Sequence, residues 1–125
     1  MTFRLEELAA LQNGWLDGTG VAPDKDALPK LARLFDTSFD SDLPLPFLYP
    51  IPEGGLQAEW NLGDWSVTLE IELEHFGAAF HALDLKTGAS DELTLSLNSP
   101  AEWARLNGFL KNLEKQYAEE HQIDS

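Results

Sequence analysis

The chain has 125 residues, 43% of them apolar, and sets 22 acidic residues against 8 Lys and Arg for a formal net charge of −14. Such a charge repels nucleic acid and anionic membrane surfaces, and it attracts and steers basic proteins. With no cysteine, disulfides and thiolate metal sites are excluded, and a reducing compartment is the natural setting.

The length fits one domain, expected over 1–125 with a frayed tail from about 119. A domain of this size buries roughly two thirds of the surface its unfolded chain exposes, enough for a core without staples. Met1–Glu7 lacks the basic start and apolar run of a signal peptide. The apolar stretches are far shorter than the ~20 residues needed to cross a bilayer. A cytoplasmic location is expected.

In chain order, Thr2–Leu11 predicts a short helix with Leu5, Leu8, Ala9 and Leu11 on its apolar side, stopped by Asn13-Gly14. The glycine-rich loop Trp15–Gly20 follows, with Trp15 and Leu16 expected to anchor it on the core. It lacks the alternating oxygen ligands of an EF-hand and the Gly-Lys-Ser/Thr of a phosphate loop. A second helix is predicted from Pro23 or Asp24 to Phe39, with Leu28, Leu31, Leu34 and Phe35 on one side. Pro29 favours a late start.

Four prolines between Leu43 and Pro52 predict an extended edge segment, with Leu45, Phe47, Leu48 and Ile51 read as core. A proline-rich ligand for an aromatic groove is the less favoured reading. After the turn Glu53-Gly54-Gly55, alternation predicts strands at Leu56–Trp60, Trp65–Glu74 and Glu92–Leu97. Phe76–Leu85, apolar on both sides, is read as a more buried strand. The turns Leu62-Gly63-Asp64 and Lys86-Thr87-Gly88 make the strands an antiparallel meander. Ser99-Pro100-Ala101-Glu102 reads as a capping box opening a long helix, whose stripe is Trp103, Leu106, Leu110, Leu113 and Tyr117. The expected architecture is a two-layer α+β domain: a four- to five-stranded antiparallel meander, with two N-terminal helices and one C-terminal helix on one face.

No catalytic group is expected. The three histidines, His75, His81 and His121, stand in no nucleophile motif and form no metal-binding pair. Glu70, Glu72 and Glu74 alternate on one strand, which sets neighbours ~6.6–6.8 Å apart. That spacing matches the ~6.5–9.5 Å between inverting-glycosidase carboxyls, but such enzymes also need a buried acid and a concave pocket. No cofactor or metal is expected. Together with Glu59, these glutamates form an acidic sheet face expected to bind a protein partner, with a plain solvated face that serves solubility as the rival reading, while Trp15, Trp60 and Trp65 mark an aromatic pocket or a set of core anchors.

Gly14-Trp15-Leu16-Asp17-Gly18 and Leu45-Pro46-Phe47 through Pro52-Glu53-Gly54-Gly55-Leu56-Gln57-Ala58-Glu59-Trp60 resemble a group of small bacterial proteins with a Trp-Asp-Gly loop and a Pro-x-Gly-Gly hairpin ending in Glu-Trp. Leu16 interrupts the Trp-Asp-Gly pattern. The resemblance implies two-gene modules and mobile elements, and with them antitoxin, immunity or inhibitor roles.

The expected function is therefore that of a non-enzymatic protein that inhibits or regulates a basic protein partner, with no direct nucleic-acid or membrane contact. One alternative is a DNA mimic of the anti-CRISPR or anti-restriction kind. Three glutamates over ~13 Å are sparser than one phosphate per ~3.4 Å of strand, so mimicry would also need Asp36, Asp40 and Asp42. The others are a small-molecule-binding domain and a homodimer paired through exposed sheet edges.

Overall fold

The computed structural model describes the backbone of residues 2–120 and the side chains of residues 6–115. The protein is an α+β fold: a five-stranded antiparallel sheet in chain order and a long C-terminal helix. The elements are α1 (Thr2–Ala9), α2 (Ala27–Ser38), β1 (Phe47–Pro50), β2 (Leu56–Leu62), β3 (Trp65–Ile71), β4 (Gly77–Asp84), β5 (Ser90–Ser96) and α3 (Pro100–Glu120). Of the tail expected to fray from about 119, residues 119 and 120 belong to α3, and the rest, with His121, lies outside the described residues.

Both N-terminal helices are shorter than the sequence pattern predicts. α1 ends at Ala9, and Ala10 and Leu11 continue only as tight turns onto the carbonyls of Glu7 and Leu8. α2 begins at Ala27 because Asp24 forms its own turn, accepting from the N–H groups of Asp26 (2.8 Å) and Ala27 (3.4 Å). Pro29 consequently lies in the first turn, where its missing N–H costs nothing. Asn107 of α3 clamps the other end of α2, donating to the Ser38 carbonyl (2.9 Å) and accepting from Asp40 N–H (3.2 Å).

Period-two alternation divides each strand between two environments. Leu56, Ala58 and Trp60 of β2, Val67, Leu69 and Ile71 of β3, and Phe80 and Ala82 of β4 are buried. They join Leu28, Leu31 and Phe35 of α2 and Trp103, Leu106 and Leu110 of α3 in one core. Ring contacts connect these elements: Phe80 meets Phe109 edge-on at 5.3 Å, and Phe35 meets Trp103 at 5.1 Å. The indole N–H of each buried tryptophan is satisfied, Trp60 on the Pro44 carbonyl (2.9 Å) and Trp103 on the Leu97 carbonyl (2.8 Å), as burial of a polar group requires.

Several local expectations need correction. β3 stops at Ile71, three residues short of Glu74. Glu72 N–H still bonds to the Gly77 carbonyl, but its carboxylate turns back to accept from His75 N–H (2.7 Å), and Phe76 adopts a positive φ of 58° to reverse the chain. β4 is not buried on both sides. Its second face, Gly77, Ala79, His81 and Leu83, is exposed or half-buried, and the apolar Ala79 and Leu83 there conceal the alternation. Phe47 is 63% exposed because the inward position of β1 belongs to Leu48, Leu45 is 57% exposed ahead of the strand, and Ile51 is half-buried outside the core cluster, so of the four residues read as core only Leu48 is. Leu16 also faces solvent.

The capping box at α3 is not closed. Ser99 N–H bonds to the Ser96 carbonyl, while the Glu102 carboxylate takes Arg105 (2.9 Å). The helix still starts at Pro100, where proline is pre-organised for a first helical position.

Candidate functional site: the open face of the sheet

The residues left over by the core pattern form the other face. Register sets them in two rows across the sheet. One row runs Phe47, Glu59, Thr68, His81, Glu92; the next runs Tyr49, Gln57, Glu70, Ala79, Thr94. Each is exposed or half-buried. The centre of this face is a shallow depression of about 590 Å³ lined by Thr68, Glu70, Ala79, His81, Glu92 and Thr94.

Charge on the sheet is of one sign. The five strands hold Glu59, Glu70, Asp84, Asp91 and Glu92 and neither Lys nor Arg. All eight bases lie elsewhere: Arg4 in α1, Lys25 before α2, Lys30 and Arg33 in α2, Lys86 in the β4–β5 turn, and Arg105, Lys111 and Lys115 in α3. Among the described residues, Glu72–His75, Glu102–Arg105 and Asp40–Lys111 form ion pairs, and none of these three involves Glu59, Glu70 or Glu92. Glu59 instead accepts the side-chain amide of Gln57 (2.7 Å).

Of the four glutamates singled out from sequence, Glu59 and Glu70 lie on this face, and Glu72 and Glu74 belong to the turn at its end. The Glu72 carboxylate is held below its ordinary range, first by the His75 N–H bond and further by Glu74 N–H and the His75 ring. The turn also brings oxygens of Glu72 and Glu74 and a ring nitrogen of His75 within 4.8 Å of one another. All three are exposed, and the turn's own hydrogen bonds account for their proximity. Glu92, which completes the acidic centre beside His81, was not singled out from sequence. Its signal was the same alternation that identified β5.

The three tryptophans do not converge on a pocket. Trp60 is buried against Phe39 at 6.0 Å. Trp65, at the start of β3, packs half-buried against the core. Trp15 closes its own glycine loop, donating to the Val21 carbonyl (3.0 Å) with its ring against Gly20. Gly20 has a φ of +94°, and a Cβ there would meet that ring at 3.1 Å, so the loop requires glycine at this position.

No family model, curated protein or solved structure matches the chain.

Proposed function

We propose that the open sheet face is a docking surface for a basic protein, and that the protein acts without chemistry of its own as an inhibitor or regulator of that partner. The observation that carries this reading is the segregation of charge. Solubility alone is served by acids and bases interspersed over the surface, and lysines are the usual guard on sheet edges. A sheet without a single Lys or Arg, on a chain with eight of them, presents Glu59, Glu70 and Glu92 on its open face with no basic strand residue to offset them, a field of one sign that steers an oppositely charged partner and selects against like-charged ones.

The second element is aromatic. Phe47 and Tyr49 are 63% and 43% exposed along β1, next to Glu59 and Gln57. Exposed aromatics beside complementary charge are the composition of an interface anchor. The resemblance noted from sequence favours an antitoxin-, immunity- or inhibitor-type role in the cytoplasm. DNA mimicry is less favoured, because Glu72 and Glu74 leave the strand and the acids no longer continue as a regular row.

The test is affinity capture with the wild-type chain and with the triple variant Glu59→Lys, Glu70→Lys, Glu92→Lys, followed by titration of the captured protein at several salt concentrations. Wild type should bind a protein of high isoelectric point with affinity that falls as salt rises, and the triple variant should lose at least about a hundredfold. Retention of that partner by the variant with an unchanged salt dependence would refute the assignment.

A further inference from the structure

At the end of the sheet a second groove, about 950 Å³, lies between the Val21–Asp24 segment, the Glu53–Gly55 turn and the β3–β4 turn. Glu70, Ala79 and Thr94 line both this groove and the central depression, so the two are continuous. Its accessible apolar lining includes the exposed Val21 and Ala79 and the half-buried Ile51, and its carboxylates are Asp24, Glu53, Glu70, Glu72 and Glu74, with no Lys or Arg in the lining.

The wall carrying Val21 is built and fastened. Val21 N–H donates to the Pro52 carbonyl (2.7 Å), the Val21 carbonyl accepts the Trp15 indole N–H (3.0 Å), and Ala22 N–H donates to the Asn13 side chain (2.9 Å). A parallel bridge pairs Val21 with Glu53, and its side chain lies over Gly54. Three hydrogen bonds thus hold an aliphatic side chain that remains 53% exposed. The glycine loop, which the docking face itself does not use, is what sets this wall in place.

We infer that this groove receives a segment of the basic partner in which aliphatic residues alternate with Arg or Lys. The aliphatic side chains cover Val21 and Ile51, and the basic ones lay their alkyl stems on the same floor and bring their charged ends to the surrounding carboxylates. Charge complementarity names the sign of the occupant, and the apolar floor distinguishes it from a merely basic chain. The inference rests on the docking reading and adds the chemistry of the recognised segment.

Two capped peptides of equal charge test it, Arg-Leu-Arg-Leu-Arg-Leu and Arg-Gly-Arg-Gly-Arg-Gly, titrated into the ¹⁵N-labelled full chain. The leucine peptide should bind at least about fivefold tighter, with the largest amide shifts at Val21, Gly54, Gly55 and Gly77. Val21→Asp should then weaken the leucine peptide about tenfold although it adds negative charge, and leave the glycine peptide unchanged or tighter. Equal affinities for the two peptides in the wild-type chain, shifts confined to Thr68, His81 and Glu92, or tighter binding of both peptides by Val21→Asp would each overturn the inference. The comparison of peptides needs no variant and so does not depend on how a substitution folds. Because the docking reading is judged separately, by charge reversal on Glu59, Glu70 and Glu92 against the captured partner, the groove can fail while that reading stands.

Discussion

The two faces of the sheet are cut from the same strands and differ only in residue parity, yet they obey opposite rules. Toward the helices, Leu56, Val67, Leu69 and Ile71 are completely buried, and any change of volume is felt by close-packed neighbours. Away from them, Thr68, Glu70, His81 and Glu92 meet solvent or each other, and nothing in the fold prescribes their identity. Stability is therefore concentrated on one parity, and the residues free to serve recognition on the other.

Truncating adjacent residues of β3 separates the two faces most strongly. Leu69→Ala or Trp103→Ala should cost about 3–5 kcal/mol in urea unfolding, because both side chains are enclosed by the core and Trp103 also supplies the edge-on partner of Phe35. Thr68→Ala, one residue from Leu69 on the open side, should stay within about 0.5 kcal/mol. Comparable losses at Leu69 and Thr68 would show that the outer face is also a packing surface.

Glycines give a second contrast. A Cβ on Gly55 would approach the Ile71 carbonyl oxygen to 2.5 Å, whereas one on Gly77 meets nothing within 4 Å. Gly55→Ala should therefore destabilise by about 1–3 kcal/mol, since backbone must move. Gly77→Ala, at a position without positive φ, should be neutral or stabilise by up to about 1 kcal/mol through the unfolded chain. Thermal unfolding of the pair checks both signs.

This parity also explains what the sequence could and could not disclose. The strong alternation of β2, β3 and β5 carried the meander and the buried set, because burying one face of an antiparallel sheet is enough to write the pattern. β4 was misread because Ala79 and Leu83 on the outer face erase that contrast. The extent of the acidic row was misread because alternation continued through Leu73, which is buried although the ladder has already ended, and only the Glu72–His75 turn reveals the reversal. The exposed Phe47 was invisible for a similar reason: hydropathy marks it as core, and only its register opposite Glu59 puts it outside. The groove beside Val21 depends on a bridge between Val21 and Glu53, a long-range pairing that no local pattern announces.

A smaller effect is expected where α2 and α3 are tied together. Asn107 makes two hydrogen bonds across that junction, to Ser38 and Asp40. Asn107→Ala leaves one acceptor and one donor to find other partners, and should cost about 1–2 kcal/mol in urea unfolding. An Asn107→Asp variant, which keeps the acceptor for Asp40 N–H and loses the donor to Ser38, separates the two bonds. If both substitutions are silent, these two hydrogen bonds add nothing to the apolar stripes and the Asp40–Lys111 pair that also join the helices.

The smallest effect concerns charge and sharpens the comparison between paired and unpaired acids. The Asp40 carboxyl is held below its ordinary value chiefly by the Lys111 side chain and then by Asp42 N–H, and Lys111 is raised in turn by Asp40. Asp84 is lowered by the N–H groups of Lys86 and Thr87. A lowered acid stabilises the fold above its unfolded value, near 3.9 for aspartate, and that contribution disappears as pH falls through the folded value. A raised lysine contributes below its unfolded value, near 10.4, and loses its contribution as pH rises through the folded value. Asp40→Asn and Lys111→Met should therefore each flatten both limbs of the stability curve, the acid limb below about pH 4 and the alkaline limb above about pH 10. The three acids of the open face take part in none of the ion pairs named above. Glu59, Glu70 and Glu92 stand on a face without Lys or Arg, so neutralising Glu70 and Glu92 as Gln should leave stability near pH 7 unchanged or slightly higher by relieving like-charge repulsion, while weakening attraction to a basic partner. A double variant Glu70→Gln, Glu92→Gln that loses stability at neutral pH would show that these acids hold the fold, and would remove the division of labour between the two faces.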